Sequence, residues 1–440
     1  MISNHQALLA ALFSVLPATA SSQDTLRLAE LQDAALARDA RAGQASYLKS
    51  ASALRLTSLG MERRPQLSLG GFASHQNDVT SIPGGLAGAA VPLPPKDRWQ
   101  AVLDVQQLLY DGGAINARAA LERARLAESK SAVDAALYRL RGDVTAAFFT
   151  ALLQQQRLRE LDAIAVDLTA RLEQARARVR NGVALGRDTS VIVAEQLRAH
   201  LSRREAETVR AAAVAQLASL TGRPTDTTAI MEMADLSAAV SRVRMDGVEA
   251  IRVRPEFAGY REARDRLERE AQVASLANRP RVVAFGQAGF GRPGFNQLRS
   301  EADELWQAGV HVEWRPFTWG STDRSAEVIR MQQQVLDTEE RAFAAALERS
   351  VEVDLAAVER LRDALDTDAR LVALREDIER QASAEYAEGV IPAAEYVAAR
   401  TDVLEARLAL HRHRAELYQS QARFLTTLGL SPRTNQEGRP

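Results

Sequence analysis

The stretch Trp99-Gln-Ala-Val-Leu-Asp-Val-Gln-Gln-Leu-Leu-Tyr-Asp-Gly-Gly113 decides how this chain folds. Trp99, Ala101, Leu103 and Val105 alternate with Gln100, Asp104 and Gln106. Successive side chains of a strand point to opposite faces, so the pattern predicts a strand with one apolar and one polar face. An apolar face with a tryptophan at its end fits a membrane strand of about 9–11 residues. Asp111-Gly112-Gly113 then marks a corner, and a long helical pattern follows it.

The same design returns 207 residues later. Trp306, Ala308, Val310, Val312 and Trp314 take one side, and Gln307, His311 and Glu313 take the other. Phe317-Thr318-Trp319-Gly320 is the matching corner. Gly113 pairs with Gly320, Gly182 with Gly389 and Gly222 with Gly429, all at this offset. A period so long is not a solenoid unit; it predicts two copies of one supersecondary design. Arg64-Pro65 and Arg279-Pro280 lie 215 apart instead. The surplus falls in the loop between the first two strands, where duplicated halves diverge most freely.

Composition narrows the function classes. Apolar residues make up 46% and charged residues 26%, with a net charge of −1, so there is no basic excess to hold nucleic acid. Aromatics are only 5%, while Ala, Leu, Arg, Glu and Gln dominate, a mix that favours long helices. Cysteine is absent, which excludes disulfides, thiolate metal sites, a cysteine nucleophile and a lipidated N-terminal cysteine. Leu8 to Leu16 is a short apolar core, and Ala18-Thr19-Ala20 fits the small-residue cleavage rule. The expectation is a signal peptide over 1–20 and a mature, unlipidated chain from about Ser21. No other segment reaches about 18 consecutive apolar residues, the length a membrane helix needs.

Between these landmarks the chain reads as helix. One helical stretch runs from about Thr25 to Glu62 and ends before Arg64-Pro65, because proline biases its predecessor away from helix. Leu67 and Leu69 alternate with Gln66 and Ser68 as a first strand, and a Pro- and Gly-rich loop covers about Asn77 to Asp97. Val133, Leu137, Leu140, Val144, Ala147 and Ala151 begin a stripe with alternating steps of four and three. Leu158, Leu161, Ala165, Leu168, Leu172, Ala175 and Val179 continue it, with Gln154 as a polar interruption. That is a heptad seam, and its small alanines imply close helix packing. The expected organisation is therefore a first repeat over 21–222, with strands near 65–76 and 98–109. A linker spans 223–246. A second repeat covers 247–430, with strands near 280–291 and 304–315, and a disordered tail covers 431–440.

Other chemistry finds little footing. Gly289-Phe-Gly-Arg-Pro-Gly294 matches a dinucleotide-binding pattern, but that motif needs a strand before it and a helix after it. His411 and His413 are two apart on a predicted helix and point to different faces, which argues against a metal site. No nucleophile–base set, phosphate loop or catalytic carboxylate pair is evident, so neither an enzyme nor a cofactor is expected. A periplasmic coiled-coil scaffold without channel activity is the alternative. It explains the heptads but not the Trp-flanked strands.

Leu108-Leu109-Tyr110-Asp111-Gly112-Gly113, Arg254-Pro255-Glu256, Ala177-Arg178-Val179-Arg180-Asn181-Gly182 and Tyr386-Ala387-Glu388-Gly389 resemble, in order and spacing, the outer-membrane efflux protein family of TolC-like channel-tunnels. The resemblance covers nearly the whole mature chain. It implies a mainly α fold with a four-stranded β contribution. In that fold a homotrimer shares a 12-stranded outer-membrane β-barrel, and long antiparallel coiled-coil helices form an α-barrel tunnel in the periplasm. It implies an exit channel of a tripartite efflux or type I secretion system in a Gram-negative outer membrane, served by a periplasmic adaptor and an inner-membrane transporter. The cargo, whether drug, metal ion or protein, is left open. At the closed tip, Asp188 falls at the family's first-half acid, Tyr386 at the tyrosine that bonds to it, and Glu395 at a pore-facing ring acid. Ile391 and Ala398 depart from the family pattern, where an arginine and a second acid occur.

Overall fold

A computed structural model describes residues 25–79, 93–232, 234–246, 252–296 and 299–432. The expected signal peptide over 1–20, most of the Pro- and Gly-rich loop and the tail from 433 lie outside the described residues. Two long helices dominate: α3 over Ala114–Arg180 and α7 over Ser321–Glu388. At 1.5 Å per residue each is about 100 Å long. Each folds back through a short turn into a shorter partner, α4 over Gly186–Thr221 and α8 over Ala393–Thr427. No helix of the described residues is long and apolar enough to cross a membrane.

At the other end of the long helices sits a four-stranded sheet. Its strands are β2 (Gln66–His75), β3 (Asp97–Tyr110), β5 (Arg281–Arg292) and β6 (Asp303–Glu313), in the order β2-β3-β5-β6 and antiparallel throughout. The register puts Leu69, Leu103, Ala288 and Trp306 in one cross-strand row, and Leu67, Val105, Gly286 and Ala308 in another. These rows share one face, where Leu69 is 82% and Trp306 76% exposed. The intervening row is Ser68, Asp104, Gln287 and Gln307, on the opposite face. The alternation read at Trp99–Val105 thus extends across all four strands.

The main core lies further along the helices. Leu31 of α1 (Leu28–Arg38), Phe148 and Leu152 of α3, Leu217 of α4, and Phe424 and Leu425 of α8 are all at most 2% exposed and cluster together. Phe257 of α6 (Pro255–Ser275) and Val351 of α7 join them. The α3 seam is the spine of this core: Val144, Ala147 and Ala151 are buried in it. Asp354 of α7 is buried too, and accepts hydrogen bonds from Arg423 and Thr427 of α8. Burial pushes its carboxyl up, with Arg423 opposing the shift. Leu152→Ala should cost about 2–5 kcal/mol, because it leaves a cavity in a fully enclosed site. A lowered thermal midpoint of the detergent-solubilised protein checks this.

Two regions differ from the sequence reading. The stretch Thr25–Glu62 is not one helix. Thr25–Leu26 is a short strand, β1; α1 ends at Arg38; a 3₁₀ turn covers Ala40–Gly43; and α2 runs Gln44–Met61. The cause is Asp39, whose carboxylate accepts the Arg41 backbone N–H at 2.8 Å and so competes with helix continuation. Residues 223–246 carry more structure than a loose connection. β4 (Ile230–Met231) pairs in parallel with β1, and α5 spans Ser237–Asp246. Gln155 on α3 fastens β4 by bonding both the N–H and the C=O of Met231.

Candidate functional site

The two helical hairpins turn at the end remote from the sheet. Gly182 (φ 73°) and Gly389 (φ 82°) adopt left-handed backbone there, which side chains with a Cβ resist. The turns use the same bonds: Val183 N–H donates to the Arg178 carbonyl, and Val390 N–H to the Glu385 carbonyl. Each following helix carries an acid in its first turn, Asp188 on α4 and Glu395 on α8. Both therefore sit where a helix dipole favours negative charge. Glu395 is exposed; Asp188 is half-buried.

The expected hydrogen bond from Tyr386 to Asp188 does not form. Asp188 Oδ2 instead accepts the Leu185 backbone N–H at 3.3 Å, capping its own helix. The Tyr386 hydroxyl is buried and has no hydrogen-bond partner among the described residues. Its ring is stacked on Tyr396, with centroids 5.4 Å apart and planes at 12°. The Arg178 guanidinium lies 5.3 Å from the Tyr386 ring centroid, and its Nη1 donates to the Tyr386 carbonyl at 2.5 Å. Burial pushes the Tyr386 phenol up; Arg178 opposes this, and the charge of Asp188 adds to it.

A second arginine extends the arrangement. Arg171 lies 4.9 Å from the Tyr396 ring centroid, and donates to the Tyr396 hydroxyl at 3.2 Å and to Ser383 at 2.7 Å. Tyr396 in turn donates to Asp167 at 2.8 Å, and Arg400 also reaches Asp167. Burial pushes the Tyr396 phenol well up, and its bond to Asp167 pushes it further. These contacts tie α3 to both α7 and α8. The sequence reading missed Asp167, Arg171, Arg178, Tyr396 and Arg400. One signal was present: Arg171 and Arg178 are a heptad apart, hence on one face of α3. Ile391 packs partly buried on the adjacent apolar cluster, and Ala398 is exposed.

At the sheet end, Gly113 (φ 94°) and Gly320 (φ 74°) stand immediately before α3 and α7. Asp111 accepts the N–H groups of Gly113 and Ile115, giving α3 its cap. Trp319 holds φ 52° where the first corner has Gly112 at 66°. Gly289 and Gly291 lie inside β5, and the chain continues to β6 rather than into a helix, so the dinucleotide pattern has no helix to act through. His411 and His413 do diverge: one meets Glu160 of α3 at 3.0 Å, the other Asp368 of α7 at 2.6 Å. No group of three His, Asp or Glu side chains suited to a metal ion occurs among the described residues.

Residues 248–430 match the family described as outer membrane efflux protein. No curated protein matches the sequence. Solved structures match the fold along nearly the whole chain. CusC, studied for conformational changes accompanying folding and transmembrane channel formation, is 15% identical with a TM-score of 0.70, covering 92% of both chains. The outer membrane protein VceC of Vibrio cholerae is 15% identical with a TM-score of 0.67, covering 92% of this chain and 97% of its own. The MtrE outer membrane channel of Neisseria gonorrhoeae, in its open state, is 20% identical with a TM-score of 0.64, covering 93% and 91%. The second half of the chain, residues 248–430, is thus similar in sequence to the outer membrane efflux protein family, and the fold is shared with CusC over 92% of the chain.

Proposed function

We propose that this protein is the outer-membrane exit channel of a tripartite efflux or type I secretion system. One observation carries the reading: a sheet with an apolar outer face, a polar inner face and two open edges continues into helices about 100 Å long. The open edges are β2 and β6. In lipid an open edge leaves backbone groups unpaired. Four strands also fall short of the eight or so that a closed barrel needs. Identical copies pairing β6 to β2 head to tail form a ring, and three of them make twelve strands. The efflux family and the channels CusC and MtrE support this reading. A coiled-coil scaffold has no use for so large an exposed apolar face.

In this reading the two halves are copies of one design, consistent with left-handed glycines at Gly113 and Gly320, at Gly182 and Gly389, and at Gly222 and Gly429. The segment 1–20 is an export leader. The helices extend into the periplasm as a tunnel, and the hairpin tips form its inner gate, where a periplasmic adaptor and an inner-membrane transporter deliver cargo. Asp188 and Glu395 become rings of three like charges there, which favour cations over anions. Tyr386 contributes to the gate through its ring and its carbonyl.

Single cysteines test the barrel, and the chain has none of its own to interfere. At Trp99, Val105, Trp306 and Val312 an aqueous thiol reagent should fail to label trimers in the outer-membrane fraction. At Gln100, Asp104 and Glu313 it should succeed. Equal labelling of the two groups would refute the barrel, and recovery of the protein in a soluble extract would favour the scaffold.

A further inference from the structure

The inner face of the sheet carries a hydrogen-bonded chain of side chains that runs across three strands. Gln307 Nε2 on β6 donates to Gln287 Oε1 on β5 at 2.8 Å. Gln287 Nε2 donates to Asp104 Oδ1 on β3 at 2.9 Å. The direction of this chain is set by its last member. A carboxylate only accepts, so Gln287 must turn its amide nitrogen toward Asp104 and its oxygen toward Gln307. The chain holds one carboxylate oxygen in place and leaves the other free of it.

Asp104 is also alone in charge. The inner-face row on one side is Gly70, Val102, Gly289 and Leu305. The row on the other side is Gln66, Gln106, Phe285 and Gly309. Neither carries a charge. Charges of both signs return only toward the strand ends. Arg281 is the register partner of Glu313, beside His311, at one end, and Arg98 and Asp303 lie toward the other. The ion pairs near the strand ends, such as Arg315 with Glu313, leave Asp104 out. The middle of the inner face therefore bears a single negative charge per copy, fixed by two amides.

We propose that Asp104 is a charge-selecting residue of the channel: its carboxylates form an acidic ring halfway along the barrel that favours cationic solutes over anionic ones. The proposal rests on the barrel reading above. It adds a second selective element, far from the hairpin tips. Rings of carboxylates act this way because each permeating ion meets their summed field in a confined lumen. Gln287 and Gln307 are positioning residues that hold the carboxylate against the wall.

The test is the reversal potential of single channels in a planar bilayer under a salt gradient. Asp104→Asn should lower the cation-to-anion permeability ratio by roughly threefold. Gln287→Met keeps the charge and should keep most of the preference. An Asp104→Cys channel, assembled first and modified afterwards, avoids any question of folding. A negatively charged thiosulfonate reagent should restore cation preference, and a positively charged one should reverse it. A conducting channel whose reversal potential ignores both reagents and the Asn substitution overturns the assignment while leaving the barrel intact. Absence of any conductance from the unaltered protein and from the Arg178→Ala protein alike, together with absence of trimers from the outer-membrane fraction, counts against the barrel itself, and the two failures are thereby separated.

Discussion

In the channel proposed above, Arg178→Ala should leave the tunnel open at its tip, raising single-channel conductance several-fold in a planar bilayer. Arg178 does two things at once in the structure. It lies against the Tyr386 ring and donates to the Tyr386 carbonyl in the last turn of α7. A charged hydrogen bond and a cation–π contact together contribute about 2 kcal/mol or more, or roughly thirtyfold in a closed-to-open ratio. Arg178→Lys should rescue poorly, because a point charge lacks the planar fork that meets ring and carbonyl together. Tyr386→Phe should by contrast leave conductance unchanged. Its hydroxyl is buried with no hydrogen-bond partner among the described residues, so removing it breaks no bond there and relieves an unsatisfied group. A large conductance rise in Tyr386→Phe with none in Arg178→Ala would overturn this account of the gate.

The second large effect belongs to the sheet. Leu103 and Gln106 lie on the same strand, three residues apart, on opposite faces. Leu103→Arg places a cation on the lipid side, at a cost of about 2–4 kcal/mol per copy near the bilayer midplane. Three copies multiply that cost, so heat-resistant trimers should vanish from the outer-membrane fraction. Gln106→Arg puts the same side chain toward water. It should assemble normally and shift the permeability ratio toward anions. Equal loss of trimers from both variants would mean that the two faces are not lipid and lumen.

Much of the architecture was legible because apolar and polar residues alternate along one strand. Trp99, Ala101 and Leu103 are exposed on the apolar side, while Asp104 and Gln287 bond each other on the polar side. The α3 seam was readable for the same reason, since its heptad positions Val144, Ala151 and Leu168 fall in buried clusters. What escaped was short or contested. A two-residue strand such as Ile230–Met231 has no period to read. At the tip, glycine marked the turns, because left-handed backbone leaves few other choices. Spacing alone did not say which donor Asp188 would accept. Its own helix N-terminus is nearer and always present, and it won over the Tyr386 phenol. The arginines were hidden differently: a basic residue on a helix looks the same whether it faces water or a tyrosine ring.

The grip of Arg178 on a main-chain carbonyl has a consequence for heredity. A contact to backbone survives most changes of side chain at the position it holds. Random mutagenesis for leaky cells should therefore strike the arginine, or its close neighbour Gly389, more often than the hydroxyl-bearing residue. A Cβ at Gly389 would stand 2.6 Å from the Arg178 guanidinium and displace it. In the gate proposed above, lineages can vary the pore-side groups around such a clasp while the clasp itself stays put, and permeation can then drift without the resting seal being lost.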